Sequence, residues 1–306
     1  MRDISRQKIV VVVSAVFAVL WFAAPGLHAQ WVTATIAVGT GPNAVAVNPA
    51  TNMIYVVNGS DNVTVINGAT NATSTVSVGG APTAVAVNPT TNMIYVPNAV
   101  SNNVTVINGA TNATSTVSAG NVPIAVAVNS VTNMIYVANC GSSCGGTGSG
   151  TVTVIDGATN ATTTLTAGTG PRAVAVNPAT NMIYVANQGS NTVTVINGAT
   201  NATTTVSAGS QPQAVAVNPV TNMTYVVNEA GGTVTVINGA SNATATVAAG
   251  SLPYAVTVNP VTNMIYVAMF GGSSVIAING ATNATTSIPV GSSPFSVAVN
   301  PVTNMV

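Results

Sequence analysis

Cys140 and Cys144 are the only thiols in 306 residues, and they share a glycine-rich stretch, NCGSSCGGTGSG. Two thiols in one loop could hold a metal, take part in disulfide exchange, or bond to each other. A structural zinc site asks for four Cys or His ligands, and the one histidine, His28, lies far away near the N-terminus. The spacing is Cys-x-x-x-Cys rather than the Cys-x-x-Cys of redox motifs. A local disulfide is therefore expected, and no metal site is.

Other reactive groups are scarce. The chain holds four Lys or Arg and four Asp or Glu, 3% of its residues, whereas 47% are hydrophobic. Beyond the first 30 residues the charges are Arg172 against Asp61, Asp156 and Glu229, a net of +1 − 3 = −2. One arginine cannot displace the counterions of a phosphate backbone, so nucleic acid is excluded as a partner. General acid–base catalysis at neutral pH asks for His, a tuned Lys or paired carboxylates. Here the three carboxylates are far apart in sequence, and Ser and Thr have no base to activate them. No catalytic residue and no cofactor are expected.

The first 30 residues have a character of their own. Arg2, Arg6 and Lys8 precede an apolar stretch over 9–24, then Pro25, Gly26 and a small-residue site before Gln30. Residues 1–29 read as a secretory signal peptide with Ala29 the last residue removed. An uncleaved anchor is the alternative, because the stretch is short for a span of roughly 20 residues. The expected location is extracellular, at the cell surface or periplasmic, with no membrane span after cleavage. Export also favours the disulfide.

Residues 30–306 read as one domain made of repeats. The glycine of INGA or IDGA falls at 68, 109, 157, 198, 239 and 280, which gives spacings of 41, 48, 41, 41 and 41. The cysteine insert accounts for the long interval. Each unit holds four short β-branched runs, for example 44–47, 53–56, 63–66 and 73–78, separated by Asn-Pro-x-Thr-Asn, a Gly/Ser/Asn mixture, Asn-Gly-Ala-Thr-Asn and Gly-x-x-Pro. That pattern predicts an all-β chain of four-stranded antiparallel meanders, the blades of a β-propeller. The first two runs are apolar on both faces, whereas Thr and Ser alternate on the last two. Burial is therefore expected to fall outward from the first strand.

NMIYVAN followed by TVTVINGATN resembles the YVTN-type β-propeller repeats of surface-layer and secreted proteins, and the likeness covers 32–306. The name-giving tetrapeptide reads Tyr-Val-x-Asn here, and Tyr266-Val267-Ala268-Met269 loses the asparagine. The resemblance implies seven blades and an exported protein, and no single activity. Units over 44–83, 84–124, 125–172, 173–213, 214–254 and 255–295 make six complete blades. A seventh is expected to be assembled from both chain ends, with 32–38 as its outer strand and 296–306 beginning its inner ones.

Within each unit the NPxTN and INGATNA turns hardly vary, while the links between blades and the second-to-third loops do. The residue after the link proline is Asn43, Thr83, Ile124, Arg172, Gln213, Tyr254 or Phe295, predicted to ring one mouth of the central channel. The loops add Asp61, Gln188, Glu229 and Phe270 at the same end. Loops on a rigid scaffold are where binding residues concentrate. Arg172, Gln213, Tyr254, Phe295, Glu229, Phe270, Gln188 and Asp61 are thus the candidate ligand contacts. A protein, peptide or glycan at the cell surface would be the partner of this monomeric scaffold. A structural surface-layer or adhesion role is the alternative, and a propeller hydrolase or lyase a lesser one. Asn71, Asn112, Asn160, Asn201, Asn242 and Asn283 each begin Asn-Ala-Thr, a glycosylation acceptor pattern that also suits a turn followed by a strand.

Overall fold

Runs such as MIYVVN and NVTVIN favour the pleated conformation, and the Asn-rich segments between them turn the chain back. The computed structural model describes residues 34–142, 144 and 148–306. The expected signal peptide, 1–29, lies outside the described residues.

The first sheet is β1 (Pro42–Asn48), β2 (Met53–Asn58), β3 (Asn62–Asn67) and β4 (Thr73–Ser77). The second is β5 (Ala86–Asn88), β6 (Met93–Asn98), β7 (Asn103–Asn108) and β8 (Thr114–Ser118). The third is β9 (Pro123–Asn129), β10 (Met134–Asn139), β11 (Ser149–Asp156) and β12 (Thr162–Thr169). The fourth is β13 (Pro171–Asn177), β14 (Met182–Asn187), β15 (Thr192–Asn197) and β16 (Thr203–Ser207). The fifth is β17 (Pro212–Asn218), β18 (Met223–Asn228), β19 (Thr233–Asn238) and β20 (Thr244–Ala248). The sixth is β21 (Pro253–Asn259), β22 (Met264–Met269), β23 (Ser274–Asn279) and β24 (Thr285–Pro289). Every sheet is a sequential antiparallel meander. The first strands pack in series, β1 beside β5 and so on to β21, as propeller blades do.

The core lies between successive sheets. Tyr55, Val57, Val65 and Val76 of the first sheet pack against Ile94, Val96 and Ile107 of the second, and the pattern recurs along the series. Each such side chain contributes about 1.5–3 kcal/mol of burial free energy. The predicted outward gradient needs correction: the second and third strands are the buried ones, and the first is half-exposed. First strands meet their neighbours across a narrow inner edge and line the channel, so their apolar residues see open space on one side.

Asparagine ties the sheets together at the invariant end. Asn48 Nδ2 donates to Asn92 Oδ1 of the next repeat at 2.7 Å, and Asn88–Asn133, Asn129–Asn181, Asn177–Asn222, Asn218–Asn263 and Asn259–Asn304 repeat the bond. Each acceptor has a positive φ, 56° at Asn92, a region that asparagine tolerates better than most residues. A Cβ on Gly109 would stand 2.8 Å from the Asn92 carbonyl oxygen, which is why the ING turn holds glycine.

Both ends make contacts that recur within the repeats. Ile36 and Val38 pack on Ile54, Val56 and Ile66, the place that Val76 and Val78 take against the second sheet. Gly39 N donates to Thr64 Oγ1 at 3.3 Å, as Gly79 N does to Thr105 Oγ1. At the other end Asn304 accepts the bond from Asn259. Yet neither 34–38 nor 296–299 is paired into a strand. Val45 and Val47 are accordingly 44% and 51% exposed, and Tyr266 is half-buried where its five counterparts are fully buried.

One strand falls short for a local reason. Pro97 replaces a residue whose amide would support the ladder, and the pairing opposite it is interrupted. β5 begins only at Ala86, beyond an isolated Pro82–Asn98 bridge.

Candidate functional site

The variable end is built by one recurring hydrogen bond. The amide just after the second strand donates to a carbonyl of the preceding link: Gly59 to Gly41, Ala99 to Ala81, Cys140 to Val122, Gln188 to Gly170, Glu229 to Gln211 and Phe270 to Leu252, all at 2.9–3.0 Å. Loop and link are thereby held side by side in every repeat. Six of the seven link residues, Asn43, Thr83, Ile124, Arg172, Gln213 and Tyr254, line a single open cavity of about 320 Å³.

Its rim is tied sheet to sheet. Asn43 Nδ2 donates to the Pro82 carbonyl at 2.9 Å, and Thr83 Oγ1 to the Pro123 carbonyl at 3.1 Å. Gln213 is 8% exposed, and its Oε1 accepts from Gln188 Nε2 at 3.1 Å. Gln188 also lines a neighbouring cleft of about 250 Å³ with Gly189, Asn191, Ser210 and Gln211. The seventh link residue, Phe295, stacks on Tyr254 with ring centroids 4.4 Å apart, and Phe270 lies 5.7 Å from Tyr254 and 6.0 Å from Phe295. Phe295 and Phe270 remain 53% and 40% exposed, so this aromatic shelf faces solvent beside the cavity.

No protein-family model matches this chain. No curated protein matches it either. A solved structure of Kuenenia stuttgartiensis hydrazine synthase aligns over 85% of this chain and 90% of that chain, with TM-score 0.69 and 20% identity. The likeness is one of fold. This is a β-propeller-like repeat protein.

Two other candidates stand apart from the cavity. Asp61 has φ 57°, and its carboxylate accepts the Ala81 amide at 2.8 Å. Asn102 and Asn191 do the same for Val122 and Gln211, so Asp61 serves a turn that asparagine serves elsewhere. Glu229 is half-buried in the loop after β18 and does not line the cavity. At the opposite end Asp156 Oδ1 accepts from the Ala158 and Thr159 amides, and those bonds hold its carboxyl below the usual range.

Cys140 and Cys144 are joined, with Cα atoms 5.2 Å apart; Cys140 is buried and Cys144 exposed. The insert does more than lengthen a loop. β11 and β12 each run to eight residues where the fourth sheet has six and five, and Ser149 pairs with Thr169. The six Asn-Ala-Thr asparagines occupy left-handed positions in the third-to-fourth turn, with φ of 58–61°. Asn71, Asn160 and Asn283 are exposed, and Asn112, Asn201 and Asn242 are half-buried.

One buried network leaves no signal in the sequence. Asn58 Nδ2 donates to Thr64 Oγ1 at 3.0 Å, and Asn98–Thr105, Asn139–Thr153, Asn187–Thr194 and Asn228–Thr235 repeat the bond at 2.9 Å. The asparagine of Tyr-Val-x-Asn is thus a structural donor. The tyrosine is structural too: burial pushes the hydroxyls of Tyr55, Tyr95, Tyr136, Tyr184 and Tyr225 above their ordinary range.

Proposed function

We propose that this chain is an exported, non-catalytic propeller of the YVTN kind. A seventh blade draws on both ends, and the protein acts at the cell surface as a scaffold that binds a protein, peptide or glycan. The observation that carries this reading is the convergence of the variable link residues on one cavity, beside the shelf of Tyr254, Phe270 and Phe295. A concave site with a few polar groups and an aromatic wall is the usual form of a recognition site, and aromatic side chains supply large contact area at low entropic cost. Export is supported by the character of 1–29, and the YVTN kind by the recurrence of Tyr-Val-x-Asn with one structural role.

The test is a glycan and peptide array probed with the native protein and with the Tyr254→Ala/Phe295→Ala variant. The proposal expects ligands that the variant no longer retains. An identical profile for the two proteins overturns it.

A second reading, as a self-associating surface component, is favoured by the uncovered flanks. Val45 and Val47 on the first sheet and Ile288 and Val290 at the sixth are exposed apolar residues, the kind of surface through which copies associate. Sedimentation velocity across a range of concentrations tests it, and a single monomeric species throughout would exclude it.

A further inference from the structure

Resting on the reading of the channel mouth as a binding site, we infer that its ligand carries a single carboxylate on a ring, as a uronic acid residue of a glycan does. Arg172 is the one cation among the described residues, and it lies on the cavity wall. Its five companions there are Asn43, Thr83, Ile124, Gln213 and Tyr254, so no carboxylate stands on the wall to neutralise it. The three acidic groups among the described residues are held elsewhere: Asp61 in its turn, Asp156 at the opposite end, and Glu229 in a loop off the wall.

A guanidinium with no partner on its own wall matches a carboxylate through two parallel N–H bonds. Gln213 adds a donor. Its Oε1 already accepts from Gln188, which leaves its Nε2 as the end available to a ligand. The ring follows from the shelf: Phe295 and Phe270 remain exposed next to Tyr254, where the C–H face of a sugar ring can pack. Volume and charge set the remaining limits. About 320 Å³ accommodates one or two rings. With one cation against three acidic groups among the described residues, their field opposes a densely charged polyanion.

The experiment is calorimetric titration of the native protein with digalacturonate, its dimethyl ester and galactobiose, repeated with Arg172→Gln and Arg172→Lys. The inference predicts binding of digalacturonate, weakened about tenfold to a hundredfold by esterification or by Arg172→Gln, the range that loss of one charged hydrogen-bonding partner gives. Arg172→Lys should fall between, because the charge stays and the fork is lost. Equal melting temperatures of the variants and the native protein exclude a folding effect. Equal affinity for the neutral and acidic sugars overturns the inference and leaves the binding site standing. So does capture of a peptide through its free C-terminal carboxylate with no response to digalacturonate. No heat with any sugar overturns it as well, and the array decides separately whether the face binds at all.

Discussion

Asn187 Nδ2 donates to Thr194 Oγ1 at 2.9 Å with both groups fully enclosed. In the sixth sheet Met269 and Ile276 stand in those two places and join the apolar core instead. The two changes occur together, and the Gly250 amide, whose counterparts donate to the threonine, donates to the Gly232 carbonyl. Removing one partner of a buried hydrogen bond strands the other, while replacing both by apolar groups can be close to neutral. Asn187→Met alone is therefore expected to destabilise by about 1–3 kcal/mol. Asn187→Met/Thr194→Ile should recover part of that loss, and only part, because Gly168 N still lacks its acceptor. Denaturant unfolding of the three variants measures the coupling.

The asparagine latch should divide into two contributions. Asn222 accepts from Asn177 at 2.8 Å and holds φ at 54°. Asn222→Ala removes the bond and places an alanine in a strained conformation, at a cost of about 1–3 kcal/mol. Asn222→Gly removes the bond but tolerates the backbone, so its midpoint should lie between alanine and native.

Much of the architecture is legible in the sequence. The period of 41, the turn residues at fixed offsets and the β-branched runs specify four-stranded sheets, and the link residues fall where the meander puts them. The latch was not legible, because Asn48 and Asn92 are 44 positions apart and each has a sufficient local explanation as a turn residue. The turn role of Asp61 was hidden for the opposite reason: a rare charge draws attention as a ligand contact, while its φ and its bond to Ala81 give it a place in a turn as well. The first strands misled through composition, since residues apolar on both faces are only half-buried there, as Val174 and Val176 are.

Alkaline pH should unfold the protein. Burial raises the pKa of five tyrosines in the folded state, so the protonated hydroxyl is preferred there. Their contribution is complete below the unfolded tyrosine value of about 10 and is lost as pH rises through the folded values. The tyrosinate absorbance of these five side chains and the circular dichroism should change together in one cooperative step above that pH. Titration of all the tyrosines at about pH 10 with the fold intact would contradict this.

Cys144→Ser should leave the fold in place. The Cys140–Cys144 ring is short, and constraining it in the unfolded chain contributes about 2 kcal/mol. The expected outcome is a small fall in melting temperature with unchanged circular dichroism. Increased proteolysis should be confined to the loop between β10 and β11.

The central claim is that recognition belongs to the variable end. The most direct measurement compares array binding by two variants made in the same protein: Tyr254→Ala/Phe295→Ala at the cavity rim, and Val220→Ser/Val261→Ser on the exposed NPVTN turns of the opposite end. The account predicts loss of ligand with the first and native binding with the second. Native binding by the first and loss with the second would contradict it.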